Sequence, residues 1–554
     1  STKSFSKASK YLQESLKFHR QNFGENDLRT IGQENIYGRY LQEQGLFKEA
    51  HKYFKNAYNK YKKSDENSNQ NDLISKTIRA NLGLNYLYQN KYKKGHSVLE
   101  PLLREQILNT QINSSQIIKS DRRNFKDKQL YFFDYIFSYI FKSKPLLELA
   151  FLYKINSHGL LEELAKREEL IELSKKEHKN LLQDLYVLAK QISSINLSKD
   201  KRLILQKEKE LLEKTLYGLI PEIKPQIVEI GSVAKTIPIN GLLISYHQIP
   251  KVDINDLRYE GEEFIAFILQ PNNNIEVIDL GSATTIEEKV KKALKATENN
   301  YADQQQLWDE VSQLVITPLA KQLEGKDQIF ISPDAELNRV PFAALKYPNT
   351  NQFLGESKKI RLLTTGRELL ELANNSTKNN QKPLVVANPS FDLDSAPITS
   401  SETLIASQKR SGDLLSRKWK VLPGTEKEGK AIAQITDAKL LTQKQATAIA
   451  IQKANTPQIF HIASHAYYLP PEENEIENPL LRSGIVLAGA NNPESNEQDD
   501  GYLTALEVTK LDLKGTQMVV VSGCESGKGD IQSGEGVYGL KRAIAVAGAR
   551  SSLL

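Results

Sequence analysis

The spacing of apolar residues in this chain changes once, around Pro221 and Pro225, and that change limits what each part can fold into. Ahead of it, "LLEELAKREELIELSKKEHKNLLQDLYVLAKQI" repeats Leu and Ile at helical intervals between Lys and Glu, the pattern of a long amphipathic helix. Behind it come short β-rich runs, "GLLISYHQI", "EEFIAFILQ" and "IEVIDLG", separated by turn residues and by helices such as "TIEEKVKKALKA". Such alternation builds α/β domains. A polar break, "NNSTKNNQK" (Asn374 to Lys382), precedes a further run opening on "PLVVANPS", so two α/β units in tandem are expected. With 554 residues the chain is too long for one core and fits about three domains.

The first part of the chain repeats itself. In "YGRYLQEQGLFKEAHKYFKNAY" Gly38, Leu41, Gly45, Ala50, Phe54 and Ala57 fall where a tetratricopeptide helix pair needs small or aromatic residues for its helices to approach. In "LGLNYLYQNKYKKGHSVLEPLL" Gly83, Tyr86, Asn90, Gly95, Leu99 and Leu102 take the same slots. Repeats of this kind stack because one alone cannot bury its face, and the stack offers a surface for peptides or partner proteins.

Composition narrows the function classes. A hydrophobic share of 39% and a charged share of 26% belong to a globular chain, not a disordered one. The net charge of +6 is spread over Lys-rich runs interleaved with Glu, so no nucleic-acid footprint stands out. The segment "LYFFDYIFSYIF" (Leu130 to Phe141) is too short to span a bilayer and carries Asp134; it is expected as a buried scaffold helix, with no membrane partner. One cysteine excludes an internal disulfide framework and a multi-cysteine metal site, and with no secretory signal the expected compartment is the cytoplasm.

That cysteine, Cys524, ends "QMVVVSGC", which reads as a buried strand ending at Ser522, and "PQIFHIASHA" reads as another ending near Ser464. His465 and Cys524 thus both fall just past the carboxyl ends of strands, where an open parallel sheet gathers its catalytic groups. A loop with Gly523, Gly527, Gly529, Gly534 and Gly536 follows, and Val537, Leu540, Ile544 and Ala547 mark a helix stopped by Gly548. A thiol beside an imidazole is a nucleophile with its own base and acid. His461 and His465 have the spacing of a helical metal pair, but their segment reads as strand, so no metal or other cofactor is expected and His461 is read as a core residue. "GCESGKG" is one residue short of a phosphate-binding loop and has Gly529 where that loop needs a hydroxyl. Gly523, Glu525, Asp530 and Glu535 are candidates for a substrate pocket that takes a basic side chain.

The repeat array together with "SPDAELNRVPFAAL" (Ser332 to Leu345), "LPGTEKEGKAI", "FHIASHA", "NPLLRSGIVLAGAN" and "VVVSGCESGKGDIQSGEGVYGLKRAIAVAGARS" resembles the CHAT family. Its members are caspase-like peptidase domains associated with tetratricopeptide repeats and distantly similar to caspases and separase. The likeness covers Pro221 to Leu554. It implies a caspase-like fold with a His-Cys dyad, often with a non-catalytic caspase-like unit ahead of the active one. On this resemblance Cys524 attacks the scissile carbonyl, His465 serves as base and then acid, and the backbone N–H groups of Cys524 and Ala466 form the oxyanion hole. The family motif has glycine directly after the histidine, where this chain has Ala466.

The expected organisation is therefore α plus α/β: tetratricopeptide-like helical repeats over residues 1–157, a long amphipathic helical linker over 158–220, a first, non-catalytic caspase-like α/β unit over 221–382, and a catalytic caspase-like unit over 383–554 with a parallel-rich sheet. "GARSSLL" stops where an apolar strand begins, so the last unit is expected to continue beyond Leu554 in the natural protein. The expected function is a cysteine endopeptidase acting on a protein substrate, its repeat array binding a protein or peptide regulator. The alternative is a non-enzymatic repeat scaffold with a silent protease domain.

Overall fold

The protein is described by a computed structural model over residues 2–64, 73–114, 117, 121–172, 178, 180, 181, 184, 188, 199–219, 224–253, 258–374, 381–392, 417–454, 456–470, 479–492, 499–532 and 534–554. The helical linker expected over 158–220 and the break at Asn374 to Lys382 lie partly outside these residues.

Helices lead. They are α1 (Thr2–Phe23), α2 (Leu28–Glu43), α3 (Phe47–Ser64), α4 (Leu73–Tyr88), α5 (Tyr92–Ser114), α6 (Arg122–Leu130) and α7 (Lys144–Ser157). The two sequence repeats give two helix pairs of one design. Phe54 of α3 lies so close to Gly38 of α2 that a Cβ at Gly38 would stand 2.7 Å from its ring, and Leu99 of α5 would stand 2.5 Å from a Cβ at Gly83 of α4. Gly45 and Asn90, at matching places between the paired helices, both take left-handed backbone, φ 73° and 57°, which Gly and Asn adopt most cheaply. Phe54 and Leu99 are fully buried, each contributing about 1.5–3 kcal/mol.

Tyr131–Lys142 forms the buried helix expected there, wound as a 3₁₀ helix. The spacing of its aromatic residues suits either form, and the tighter winding still buries Phe132, Phe133, Ile136, Phe137, Tyr139 and Ile140. After α7 come α8 (Leu160–Glu172) and α9 (Lys199–Leu219). Among the described residues no helix is long and apolar enough to cross a membrane.

The described chain forms two compact units. The first takes residues within Ser1–Ile117, Asp121–His158 and Gln226–Leu370, and the second takes residues within Gly159–Pro225 and Glu371–Leu554. The helices α1–α7 thus share a unit with the first sheet, where Phe151 and Phe137 set their rings against Phe267 and His247.

The first sheet contains β1 (Gly241–Asp253), β2 (Arg258–Leu269), β3 (Ile275–Ser282), β4 (Gln328–Ser332) and β5 (Lys359–Leu362), in the order β3-β2-β1-β4-β5. β1 to β3 form an antiparallel meander, whereas β1, β4 and β5 run parallel. The helices Ala283–Glu298 and Gln304–Val315 supply the crossover between β3 and β4. They cover the face built from Leu242, Ile244, Tyr246, Phe264 and Ile331.

The second sheet is parallel throughout. It runs β15-β12-β8-β6-β7, from β6 (Leu384–Pro389), β7 (Lys439–Gln443), β8 (Ile459–Ala463), β12 (Met518–Ser522) and β15 (Ser552–Leu553). Beside it lie an antiparallel trio, β9 (Ala466–Tyr468), β10 (Ser483–Val486) and β11 (Tyr502–Thr504), and a hairpin, β13 (Gly529–Gln532) with β14 (Gly536–Gly539). The hairpin corrects one expectation: Val537 belongs to β14, and the helix begins only at Leu540 and runs to Val546. Gly548, at φ 96°, follows its end as anticipated.

Candidate active site

The strands expected to end near Ser464 and at Ser522 are neighbours. β8 and β12 pair in parallel from Met518↔Ile459 to Ser522↔Ala463, and the Ser464 amide donates to the Ser522 carbonyl at 3.3 Å. His465 and Cys524 each stand two residues beyond the last paired residues. Adjacent strands lie about 4.8 Å apart, so equal overhang starts both residues from the same edge of one sheet. Between them sits Gly523. A Cβ there would lie 2.6 Å from the Ser464 carbonyl oxygen and 3.3 Å from the Ala466 nitrogen, so only glycine lets the cysteine loop close against the histidine loop.

Cys524 is exposed. Glu525, directly after it, takes φ 65°, a left-handed bend uncommon for a residue with a side chain, which turns the chain sharply away from β12. Ser526 is buried and its hydroxyl donates to the Val521 carbonyl at 3.3 Å, holding the bend.

His465 is fixed from three sides. Its Nε2 is 2.8 Å from the Lys420 carbonyl oxygen, which can only accept, so Nε2 carries the hydrogen and Nδ1 of the neutral ring is left as the base. The rings of Trp419 and Phe391 flank it at centroid distances of 5.1 and 5.4 Å. Trp419 is itself held, its backbone N–H donating to Asn491 Oδ1 at 2.7 Å and its Nε1–H to the Tyr502 hydroxyl at 2.9 Å. Neither Trp419 nor Lys420 was singled out from sequence; only Val421 separates them from the "LPGTEKEGKAI" motif. His461 lies inside β8, buried, with Nε2 2.9 Å from Glu428 Oε1.

The candidate pocket acids have separate fates. Glu525 Oε2 accepts from the Tyr468 N–H at 3.3 Å, and its Oε1 lies 3.3 Å from Lys528 Nζ. Asp530 accepts from the Tyr468 hydroxyl at 2.6 Å and pairs with Arg482, whose side chain is buried. Glu535 departs from the expectation. It is completely buried, accepts from the Leu161 N–H at 3.1 Å, and lies 3.8 Å from Arg542 Nη1. Its carboxylate meets the N-terminus of α8 inside the fold, where a negative charge satisfies orphan amides.

A second cluster, unforeseen from sequence, lies in the first unit. Ligand atoms of His158, His247 and Asp334, all buried, lie within 4.8 Å of one another and could hold a metal ion. His247 Nδ1 is 2.9 Å and His158 Nδ1 is 3.9 Å from Asp334 Oδ2. Lys154 Nζ lies 2.6 Å from His158 Nδ1 and 3.5 Å from Asp334 Oδ2. Burial pushes the Asp334 carboxyl up, but the Lys154 ammonium and the imidazoles override it and hold it well below the ordinary range. Burial also brings Lys154 down to about 8, against the pull of Asp334, so this pair is ionised at neutral pH.

Residues 305–554 match the model of the CHAT domain family. No curated protein matches the chain.

Proposed function

We infer, from a chain that belongs to the CHAT family through residues 305–554 and so carries a caspase-like peptidase-type domain, that it is a cysteine endopeptidase with Cys524 as nucleophile and His465 as base and acid. The observation that carries this reading is the equal overhang of the two residues on paired strands, with Gly523 closing the gap between their loops. His465 Nδ1 takes the thiol proton, and Sγ attacks the scissile carbonyl carbon. The carbonyl π electrons move to oxygen, which the backbone N–H groups of Cys524 and Ala466 stabilise. Collapse expels the amine, which takes the proton from Nδ1 and leaves a thioester. Water then attacks the thioester, giving its proton to Nδ1, and the thiol departs with that proton restored. The Lys420 carbonyl takes the orienting part of a third member, since it holds Nε2–H throughout.

Glu525 and Asp530, with Gly523, line the substrate side of the loop. Asp530 is paired with the buried Arg482, whereas the pair of Glu525 with Lys528 is open to solvent, which makes Glu525 the acid better suited to a basic side chain. Residues 1–157 form the recognition part, a tetratricopeptide-type array that binds a protein or peptide regulator. Its support is the recurrence of one close-packed design at Gly38 with Phe54 and at Gly83 with Leu99.

The test is cleavage of a peptide library and labelling by thiol-reactive peptide probes, compared among wild type, Cys524→Ala and His465→Ala. Both variants are expected to lose cleavage, and Cys524→Ala to lose labelling entirely. Undiminished cleavage by Cys524→Ala would overturn the assignment. A wild type that neither cleaves nor labels, while its array captures a partner, would point instead to a scaffold with a silent site.

A further inference from the structure

The first α/β unit repeats the framework of the dyad. β1 and β4 pair in parallel up to Ser245↔Ser332, as β8 and β12 do up to Ala463↔Ser522. Two residues beyond the last pair stand His247 and Asp334, where the other sheet has His465 and Cys524. Ser332 and Ser522 are matching last residues, and each is followed by the functional position after one intervening residue, Pro333 or Gly523. The residue after Asp334 is Ala335 at φ 45°, and the residue after Cys524 is Glu525 at φ 65°. Left-handed backbone is uncommon at residues with a side chain, so its occurrence at the same step in both sheets is an independent match. Outside β4 and β12 lie β5 and β15, again parallel.

What differs is access and occupancy. Cys524 is exposed, whereas Asp334 and Lys154 are each 1% exposed, and His247 and His158 are also buried. Lys154 and His158 come from α7 and the residue directly after it, and they fill the space beside the His247–Asp334 pair. Asp334 Oδ2 also accepts from the Gln248 N–H at 3.2 Å and Oδ1 from the Ala335 N–H at 2.9 Å, so both carboxylate oxygens are engaged.

We propose that His247 and Asp334 form a second dyad position converted into a cation socket, in which Asp334 replaces the nucleophile and the ammonium of Lys154 is the resident ligand, clamping α7 to the edge of the first sheet. A carboxylate keeps the negative charge that a thiolate would place beside the imidazole, but here that charge holds a primary ammonium instead of attacking a carbonyl. The ammonium also competes with a metal ion for this cluster: it contacts Nδ1 of His158, one of the three residues that could hold the ion, and it already balances Asp334. None of this depends on Cys524 cleaving peptides.

Hydrogen exchange on the full chain tests the socket. Lys154→Met takes the ammonium from a buried carboxylate and leaves its charge uncompensated; exchange is expected to quicken about a hundredfold or more across Lys144–Ser157 and β1 together. Lys154→Met combined with Asp334→Leu removes both charges and is expected to recover most of the protection, even if the single variant fails to fold. Unchanged exchange in Lys154→Met, or no recovery in the double variant, overturns the proposal. Zinc chloride added to wild type is expected to leave exchange in these segments unchanged. Slowing by zinc that His158→Ala abolishes would make the cluster a metal centre and overturn the ammonium assignment.

Discussion

Gly523 packs against the backbone of Ser464 so closely that a methyl group added to it would lie 2.6 Å from the Ser464 carbonyl oxygen. Because Ser464 precedes His465 and Gly523 precedes Cys524, this contact sets the separation of the two proposed catalytic residues.

Gly523→Ala therefore forces one strand end away from the other, and the obstacle is backbone rather than a side chain that can turn aside. Overpacking of this kind costs about 1–3 kcal/mol. A displacement of about 1 Å at reacting atoms costs on the order of a hundredfold in rate. The variant is expected to stay folded by circular dichroism while labelling by peptide probes slows at least tenfold. Wild-type labelling would mean that the contact does not set the dyad.

The hold on His465 makes a contrasting pair of predictions. The orienting acceptor is the carbonyl of Lys420, which every amino acid supplies, so Lys420→Ala is expected to keep cleavage within about twofold. Trp419→Ala removes the ring beside His465 and the hydrogen bond to Tyr502, freeing the segment that carries that carbonyl. A fall of about tenfold or more in kcat, with KM little changed, is expected. Steady-state kinetics on one peptide substrate distinguishes the two variants, and equal loss in both would place the Lys420 side chain, not its carbonyl, at the site.

The strand ends at Ala463 and Ser522 were legible because each apolar run is short and meets a small or polar residue abruptly. Their adjacency was not, since Ser522↔Ala463 pairing spans a long stretch of chain and a strand's apolar pattern does not name its partner. The same limit hid the pairing of β1 with β4, and with it the cluster at His247 and Asp334. Val537 fell on a helical period with Leu540 and Ile544, yet Gly536 and Gly539 bracket it in a β-hairpin, and the register of β13 with β14 decided its state. Tyr131–Lys142 shows a third limit: apolar spacing marks a buried face but does not choose between α and 3₁₀ hydrogen bonding. Glu535 was a candidate for the substrate pocket because it is an acid in the glycine-rich loop after Cys524, and only the fold shows α8 against it.

The buried histidines give the first unit a defined response to acid. Burial, with the Lys154 ammonium beside it, holds His247 at about 4, and burial and Lys154 hold His158 well below 6.5. Unfolded, both take protons near 6.5, so below that pH the unfolded chain binds more protons than the folded one. Stability from this source is complete above 6.5 and falls as pH drops toward 4, by up to about 1.4 kcal/mol per pH unit for each histidine. Asp334, held well below 3.8, adds a further loss only at still lower pH. Lys154, at about 8 against 10.5 unfolded, makes stability rise with pH between those values. Hydrogen exchange in β1 followed from pH 7.5 to 5, corrected for intrinsic rate, is expected to quicken in wild type and to flatten in His158→Asn with His247→Asn. A flat wild-type profile contradicts two neutral buried imidazoles.

Glu535 distinguishes a structural acid from a specificity acid. Its carboxylate accepts from Leu161 N–H at the start of α8 and faces Arg542, whose Nη1 also donates to the Glu535 carbonyl at 3.2 Å and whose guanidinium lies 3.8 Å from the Tyr538 ring centroid. Glu535→Ala leaves a buried guanidinium short of its counter-charge and a helix amide without its acceptor, a loss of about 3–5 kcal/mol for a buried pair. Glu535→Gln keeps an acceptor for Leu161 and should lose less. Denaturant unfolding is expected to show the order wild type, Glu535→Gln, Glu535→Ala, with α8 and β14 losing exchange protection together in the weaker variants. Glu525→Gln, by contrast, is expected to leave stability within about 0.5 kcal/mol and to raise KM for peptides with a basic residue at the cut. If Glu535→Ala instead keeps wild-type stability and alters only the preferred residue at the cut, Glu535 faces substrate and the packing of α8 on the hairpin does not need it.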